Sequence, residues 1–350
     1  MGHLLWDGPY LANARAELQS TADSAAMAAC WEYAEQIAAN QAQSTAVAAA
    51  KTEAINMALE NKVTKNGTTV FDADITVGYI SDFANRTAAL DTSTPSLFNA
   101  VHVVTQKTES QNGRVPFFFA RVFGMDGTDA FASATAAFVV NIGGFQTPGD
   151  GSNIDLLPFA LDEDTWNDML AGNADDEWTW NRTTGNVECG SDGMLEVNLY
   201  PQDTGSPGNR GTVDIGSSNN STSDIARQIV DGVSPDDLDH HGGVLGFDSN
   251  GEMVLNGDTG ISAGVKDELA SIIGDARIVP IFRTVQGPGN NAMYTIVKFA
   301  GIRILEVKLT GSKKSKRVIV QPAPIATQGV IPSPSTQTSD YVYSNVFLTQ

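Results

Sequence analysis

Apolar positions near the start of the chain recur at helical spacing. Leu11, Ala14, Leu18, Ala22, Ala25 and Ala29 fall on one stripe. Neither Gly nor Pro interrupts residues 11–66, and 18 of the 47 residues in 12–58 are alanine, the strongest helix former. Asp7-Gly8-Pro9 supplies a start signal and Asn66-Gly67 a stop, so the pattern predicts a helix over about 10–62. Unbroken, a helix of that length would reach roughly 75 Å at 1.5 Å per residue. Residues 40–45 offer a place for it to break. A stripe of such small side chains permits close approach, either of a sheet within the same fold or of another copy. Leu11, Leu18, Ala22, Ala25 and Ala29 are therefore the candidate residues for helix packing or an assembly interface.

The period then shifts to two. Residues 70–79, 100–107 and 129–140 alternate, with β-branched and aromatic residues, and read as strands. Residues 115–124 are strongly apolar, with Pro116 early and Gly124 at the end, which predicts a short buried helix. Helix, strand, strand, helix, strand makes a compact α+β module over 1–145. The Gly-, Pro- and Asp-containing stretch 143–153 reads as a boundary. Beyond it, short helices are expected within 156–171, 221–231 and 262–273, with Ser221, Thr222 or Ser223 as the N-cap of the second and Ser262 as a cap candidate for the third. Strand patterns follow at 277–282, 293–300 and 302–309, giving a β-rich domain over 150–320. The Pro/Ser/Thr-rich stretch 322–339 reads as an extended linker within a 321–350 tail. Residues 341–348 alternate as a terminal strand. The expected fold class is α+β.

Charge sharpens this division. The 350 residues carry a net charge of −20, but residues 150–276 alone carry −21, against −6 for 1–149 and +7 for 277–350. The acidity belongs to the middle domain and argues against non-specific nucleic-acid binding. Its readings are solvation, cation binding or a basic partner surface. Charged residues are 18% and hydrophobic residues 41%, which excludes a disordered chain. Cys30 and Cys189 are too few for a disulfide framework or a metal cluster. Residues 1–10 lack a signal-peptide core, and the uncharged 130–149 is too polar for a membrane span.

Candidate chemistry is sparse. Asp239-His240-His241 holds ligand-type residues, but a metal site needs three or four converging groups. His3 and His102 stand alone, and His102 is expected to face outward from its strand. Phe247-Asp248-Ser249-Asn250-Gly251-Glu252 resembles the opening of a calcium loop without its full register, and a tight turn explains it better. The Gly-containing loop 256–266 leads into a helix and reads as a turn plus cap. Asn66, Asn85, Asn181, Asn219 and Asn220 begin N-x-S/T triplets, which a polar sequence produces by chance. No nucleophile elbow, zinc-protease helix or phosphate loop occurs. The expectation is a non-enzymatic protein with no catalytic residues and no cofactor, calcium being the one ion to weigh.

The segment Arg15-Ala16-Glu17-Leu18-Gln19-Ser20-Thr21-Ala22-Asp23-Ser24-Ala25-Ala26-Met27-Ala28-Ala29 closely resembles the R-x-x-L-Q-x-A-A-D-A-A-A-L-A-A motif of TadE/TadG-like proteins. Phe117-Phe118-Phe119-Ala120-Arg121-Val122-Phe123-Gly124, followed by Ala132-Ser133-Ala134-Thr135-Ala136, is similar to that family's apolar helix and V-x-A-x-A-T-A strand. The resemblance covers about 7–142, and 256–262 and 294–300 look similar to extended TadG-like members. It implies a pilin-like component of the bacterial tight-adherence (Flp) pilus system, in the cell envelope or outside it. Its partners would be other pilus or envelope subunits or itself, with no nucleic acid. The family pattern also implies an apolar membrane anchor before Asp7, which this sequence does not contain. The rival expectation is an extracellular adhesin or ligand-binding module, calcium-dependent in one version.

Overall fold

Alanine at every fourth position leaves a helix face with almost no side-chain thickness, and two such faces meet here. In the computed structural model, helix α1 (Leu4–Ala38) and helix α2 (Gln43–Glu60) lie against each other. The structure describes all residues except 1–3, 39–40, 84, 86–88, 182, 200–209, 217–220, 259–261, 288, 312–314, 334–337 and 350. The single helix expected over 10–62 is thus corrected to two. They run antiparallel: Gln43 Nε2 donates to the Tyr33 hydroxyl at 2.6 Å, and Asn61 Nδ2 donates to Ser24 Oγ at 3.0 Å. The α2 face in the contact is Ala46, Ala50, Ala54 and Ala58, all buried. The break falls at the place the sequence offered.

The chain divides into two units, one of residues 1–138 with 346–350, the other of residues 139–345. In the first, strands β1 (Ile75–Gly78), β2 (Ala100–Lys107) and β5 (Ala130–Ala137) form an antiparallel sheet, with Phe347–Leu348 on the far side of β5. Strands β2 and β5 pair over their full length, from Ala100 opposite Ala137 to Lys107 opposite Ala130. Helix α1 packs on this pair: Thr105 Oγ1 donates to the Leu18 carbonyl at 3.0 Å and Gln19 Nε2 to the Ser133 carbonyl at 2.9 Å. Strand β1 is shorter than the expected 70–79 because Asp72–Asp74 turns as a 3-10 helix, with the Asp74 carboxylate accepting the Phe71 N–H at 2.9 Å. A two-residue ribbon, β3 (Val115–Pro116) with β4 (Gly127–Thr128), stands beside the sheet order.

The second unit is built on a long strand, Ala292–Lys308. One side pairs with Ala276–Gln286; the other pairs with Met253–Asp258 and then Arg317–Pro322. Met253–Asp258 continues to Arg210–Val213, then Phe159–Asp162, which pairs in parallel with Ala276–Gln286. The pairing closes a five-strand ring. The sequence suggested two strands either side of Gly301. They are one, because a Cβ there would sit 2.3 Å from the Ala323 carbonyl oxygen, so only glycine lets the strand pass. Helices α3 (Glu163–Leu170), α4 (Thr222–Asp231), α5 (Pro235–Asp239) and α6 (Lys266–Ser271) are short, with Asp162, Ser221 and Ser234 capping the first three. Ser262 caps the 3-10 turn Ala263–Val265 that leads into α6. Trp166, Ile225, Ile229 and Leu269 from these helices join Phe159, Leu161, Ile281 and Ile302 in one core. The architecture is α+β.

Two boundaries differ from expectation. The stretch 143–153 overlaps the strand Ile142–Gln146, which pairs with Val244–Gly246 and Val330–Pro332. The segment expected as an extended linker holds the strands Ile325–Thr327 and Val330–Pro332, its residues 334–337 lying outside the described ones. Apolar alternation at Ile325, Val330 and Ile331 outweighs the Pro/Ser composition around it.

Candidate docking surface

The ribbon β3–β4 carries a tip formed by residues 117–126. The Phe117 N–H donates to the Asp126 carbonyl at 3.1 Å, and the chain then coils into a 3-10 turn, Ala120–Phe123. Gly124 closes the turn at φ 78°, donating to the Arg121 carbonyl at 3.0 Å. The expected short buried helix is corrected here. Val115 is buried with Ala14, Leu18, Val63 and Ala130, but Phe118, Val122 and Phe123 are 63%, 84% and 75% exposed. A four-residue turn has too little surface to bury side chains all round. An aromatic run that reads as core in sequence becomes an outward knob.

Asp7 on α1 holds the knob in place. One carboxylate oxygen accepts the Phe118 N–H at 2.8 Å; the other accepts those of Ala120 at 2.9 Å and Phe119 at 3.2 Å. The residue is only 8% exposed. Burial opposes its ionisation, but the N–H groups of Phe118, Ala120 and Phe119 outweigh burial and hold its pKa below the ordinary 3.8. The Tyr10 ring meets Phe118 edge-on at 5.1 Å. Between Gly8 and Leu11 of α1 and Phe119, Phe123 and Met125 of the tip lies an apolar cleft of about 300 Å³. On the tip, Arg121 lies 3.8 Å from Asp126, both exposed, and at the base of the ribbon Arg114 lies 2.9 Å from Asp129 and 3.3 Å from Glu109.

Of the five residues expected at a packing or assembly interface, Leu18, Ala22, Ala25 and Ala29 are fully buried within this unit. Leu11 is half-buried, packs against the Ala14–Leu18 cluster and borders the cleft. Sequence reasoning missed the outward aspect of 118–125 and read Asp7 only as a helix start. The available signal was Gly124, which marks a turn as readily as a helix end.

The other candidates remain apart. His240 and His241 are exposed at the end of α5. The Asp248 carboxylate accepts the N–H groups of Asn250 at 2.8 Å and Glu252 at 3.1 Å, a tight turn with Gly251 at φ 75°. The loop 256–266 has residues 259–261 outside the described ones. His102 is half-buried rather than outward, its Nδ1 2.8 Å from Thr135 Oγ1, and burial lowers its pKa. Cys30 is buried, which pushes its thiol pKa well up, and Cys189 is exposed. Among the described residues no group of three or more His, Cys, Asp or Glu could hold a metal, and no helix is long and apolar enough to cross a membrane.

Residues 13–136 match a family model described as "putative Tad-like Flp pilus-assembly". They span both helices, the β1–β2–β5 sheet and the knob. Over these residues, about a third of the chain, the protein is similar to that family. Comparisons with curated proteins and with solved structures find no match.

Proposed function

We propose that this protein is a non-enzymatic structural component of a Flp-type pilus or of its assembly apparatus in the cell envelope. In this reading the helical hairpin and its sheet act as a pilin-like scaffold. The acidic unit that follows is presented outward, where its charge keeps it hydrated and apart from like surfaces. Its partners are other pilus or envelope subunits. The observation that carries the reading is the family match over 13–136 on a unit whose small-residue helix faces are already used internally. Such a unit must join neighbours through its outer surface.

Deleting the gene in cells that make Flp pili should abolish or shorten the filaments seen by electron microscopy. Re-expression of the full chain should restore them. Pili of normal number and length in the deletion strain would refute the proposal. Fractionating the same cells and measuring the N-terminal peptide of the native protein would show how it is held in the envelope.

A further inference from the structure

We infer that the 117–125 knob and the first turns of α1 form a contact surface between two copies of this chain, related by a two-fold axis. The inference stands on the first unit alone and does not depend on the pilus reading.

Exposure is built into this loop. Asp7 is taken out of water to bind three backbone N–H groups of the segment that displays Phe118, Val122 and Phe123. Holding the loop before contact lowers the ordering cost of association. With Phe119 at 41% exposure beside Phe118 and Phe123, the three rings present roughly 350 Å² of apolar surface, taking about 200 Å² for a whole side chain. Val122 and Met125 add to it. The rings alone already fall within the range of the largest patches on monomers, about 300–600 Å². They are also a large part of the apolar core of an interface that buries about 800 Å² per partner.

Charge selects the occupant. Arg121 and Asp126 sit together on the tip as one positive and one negative group, and at the base of the ribbon Arg114 meets both Asp129 and Glu109, which leaves one acidic group in excess. A surface with both signs and a slight acidic excess offers no attraction to an anionic bilayer or an acidic partner and little to a strongly basic one. It is complementary to itself. A two-fold axis at the knob places Arg121 of each copy against Asp126 of the other. It also brings Val122, the most exposed apolar side chain of the knob, to the cleft beside Leu11 in the second copy.

Sedimentation equilibrium of the full chain from about 1 to about 200 µM tests this. A reversible dimer is expected. Val122→Asp should raise its dissociation constant at least about tenfold while the thermal melt is unchanged, since Val122 is exposed. Arg121→Asp and Asp126→Arg should each weaken the dimer, and the double swap should restore it. A wild type that stays monomeric throughout, or a dimer undiminished in Val122→Asp, overturns the inference. A double swap no better than either single variant overturns the two-fold pairing. Monomeric protein that co-sediments with phosphatidylcholine vesicles, and loses this with Val122→Asp, assigns the knob to lipid instead.

Discussion

At the scale of single residues, Asp7 controls more structure than its position suggests. It sits in the first turn of α1 yet caps a loop more than a hundred residues away. Three N–H groups that the 3-10 turn cannot satisfy internally are satisfied by one carboxylate. Asp7→Asn keeps the shape but gives up the charge and one acceptor, so the melting temperature of the first unit should fall. The sign with pH follows from the direction of the shift. The folded carboxyl has a pKa below 3.8, so its contribution is complete above that value and is lost as pH falls through the lower, folded one. Wild-type stability should therefore show an acid limb that Asp7→Asn lacks. Identical limbs in the two proteins would show that Asp7 is not the group responsible.

At the scale of elements, the alanine stripe decides how the hairpin and sheet assemble. Ala25 is fully buried. Ala25→Glu places an unpaired carboxylate there, at a cost of more than about 3 kcal/mol. The helical circular-dichroism signal should drop, because α1 and α2 hold most of the helix, while the strand-rich second unit still melts cooperatively. A variant that keeps full helicity would show the stripe to be only loosely packed. The helical composition, the β2 and β5 strands and a hydroxyl cap within 221–223, which is Ser221, were legible because each is a local pattern: propensity, alternation, a hydroxyl before a helix. The hairpin was only partly legible, since burial of Ala46, Ala50, Ala54 and Ala58 against α1 is a tertiary fact. The knob was not legible at all. Phe117-Phe118-Phe119 carries the same apolarity whether it faces a core or solvent, and only the shortness of the turn and the distant Asp7 decide which. Nor does alternation around Gly301 reveal that two carbonyls press on it and leave room for one uninterrupted strand.

At the scale of the whole molecule, the first unit is discontinuous in sequence. It ends at Phe138 and is completed by Val346–Gln350, after the entire second unit has been made. The returning strand pairs Phe347 with Ala137 and Leu348 with Ala136, and Thr349 donates its N–H to the Thr135 carbonyl at 2.8 Å. Phe347 meets Phe83 edge-on at 5.3 Å, and Phe83 in turn packs on the Ile80–Ala100–Ala137 cluster. A strand of two residues is a weak ladder, so its value lies in the covered apolar surface and the capped edge of β5. Removing residues 346–350 should destabilise the first unit by about 1–3 kcal/mol and leave the second unchanged. Denaturant unfolding followed separately through the helical signal and through the tryptophans of the second unit would read the two. An unchanged helical transition would mean that β5 tolerates an open edge. A fall confined to that transition would mean that the first unit reaches full stability only once the last residues of the chain are in place. During synthesis, its exposed knob would then be presented before its sheet is complete, with association between copies competing against closure of the sheet.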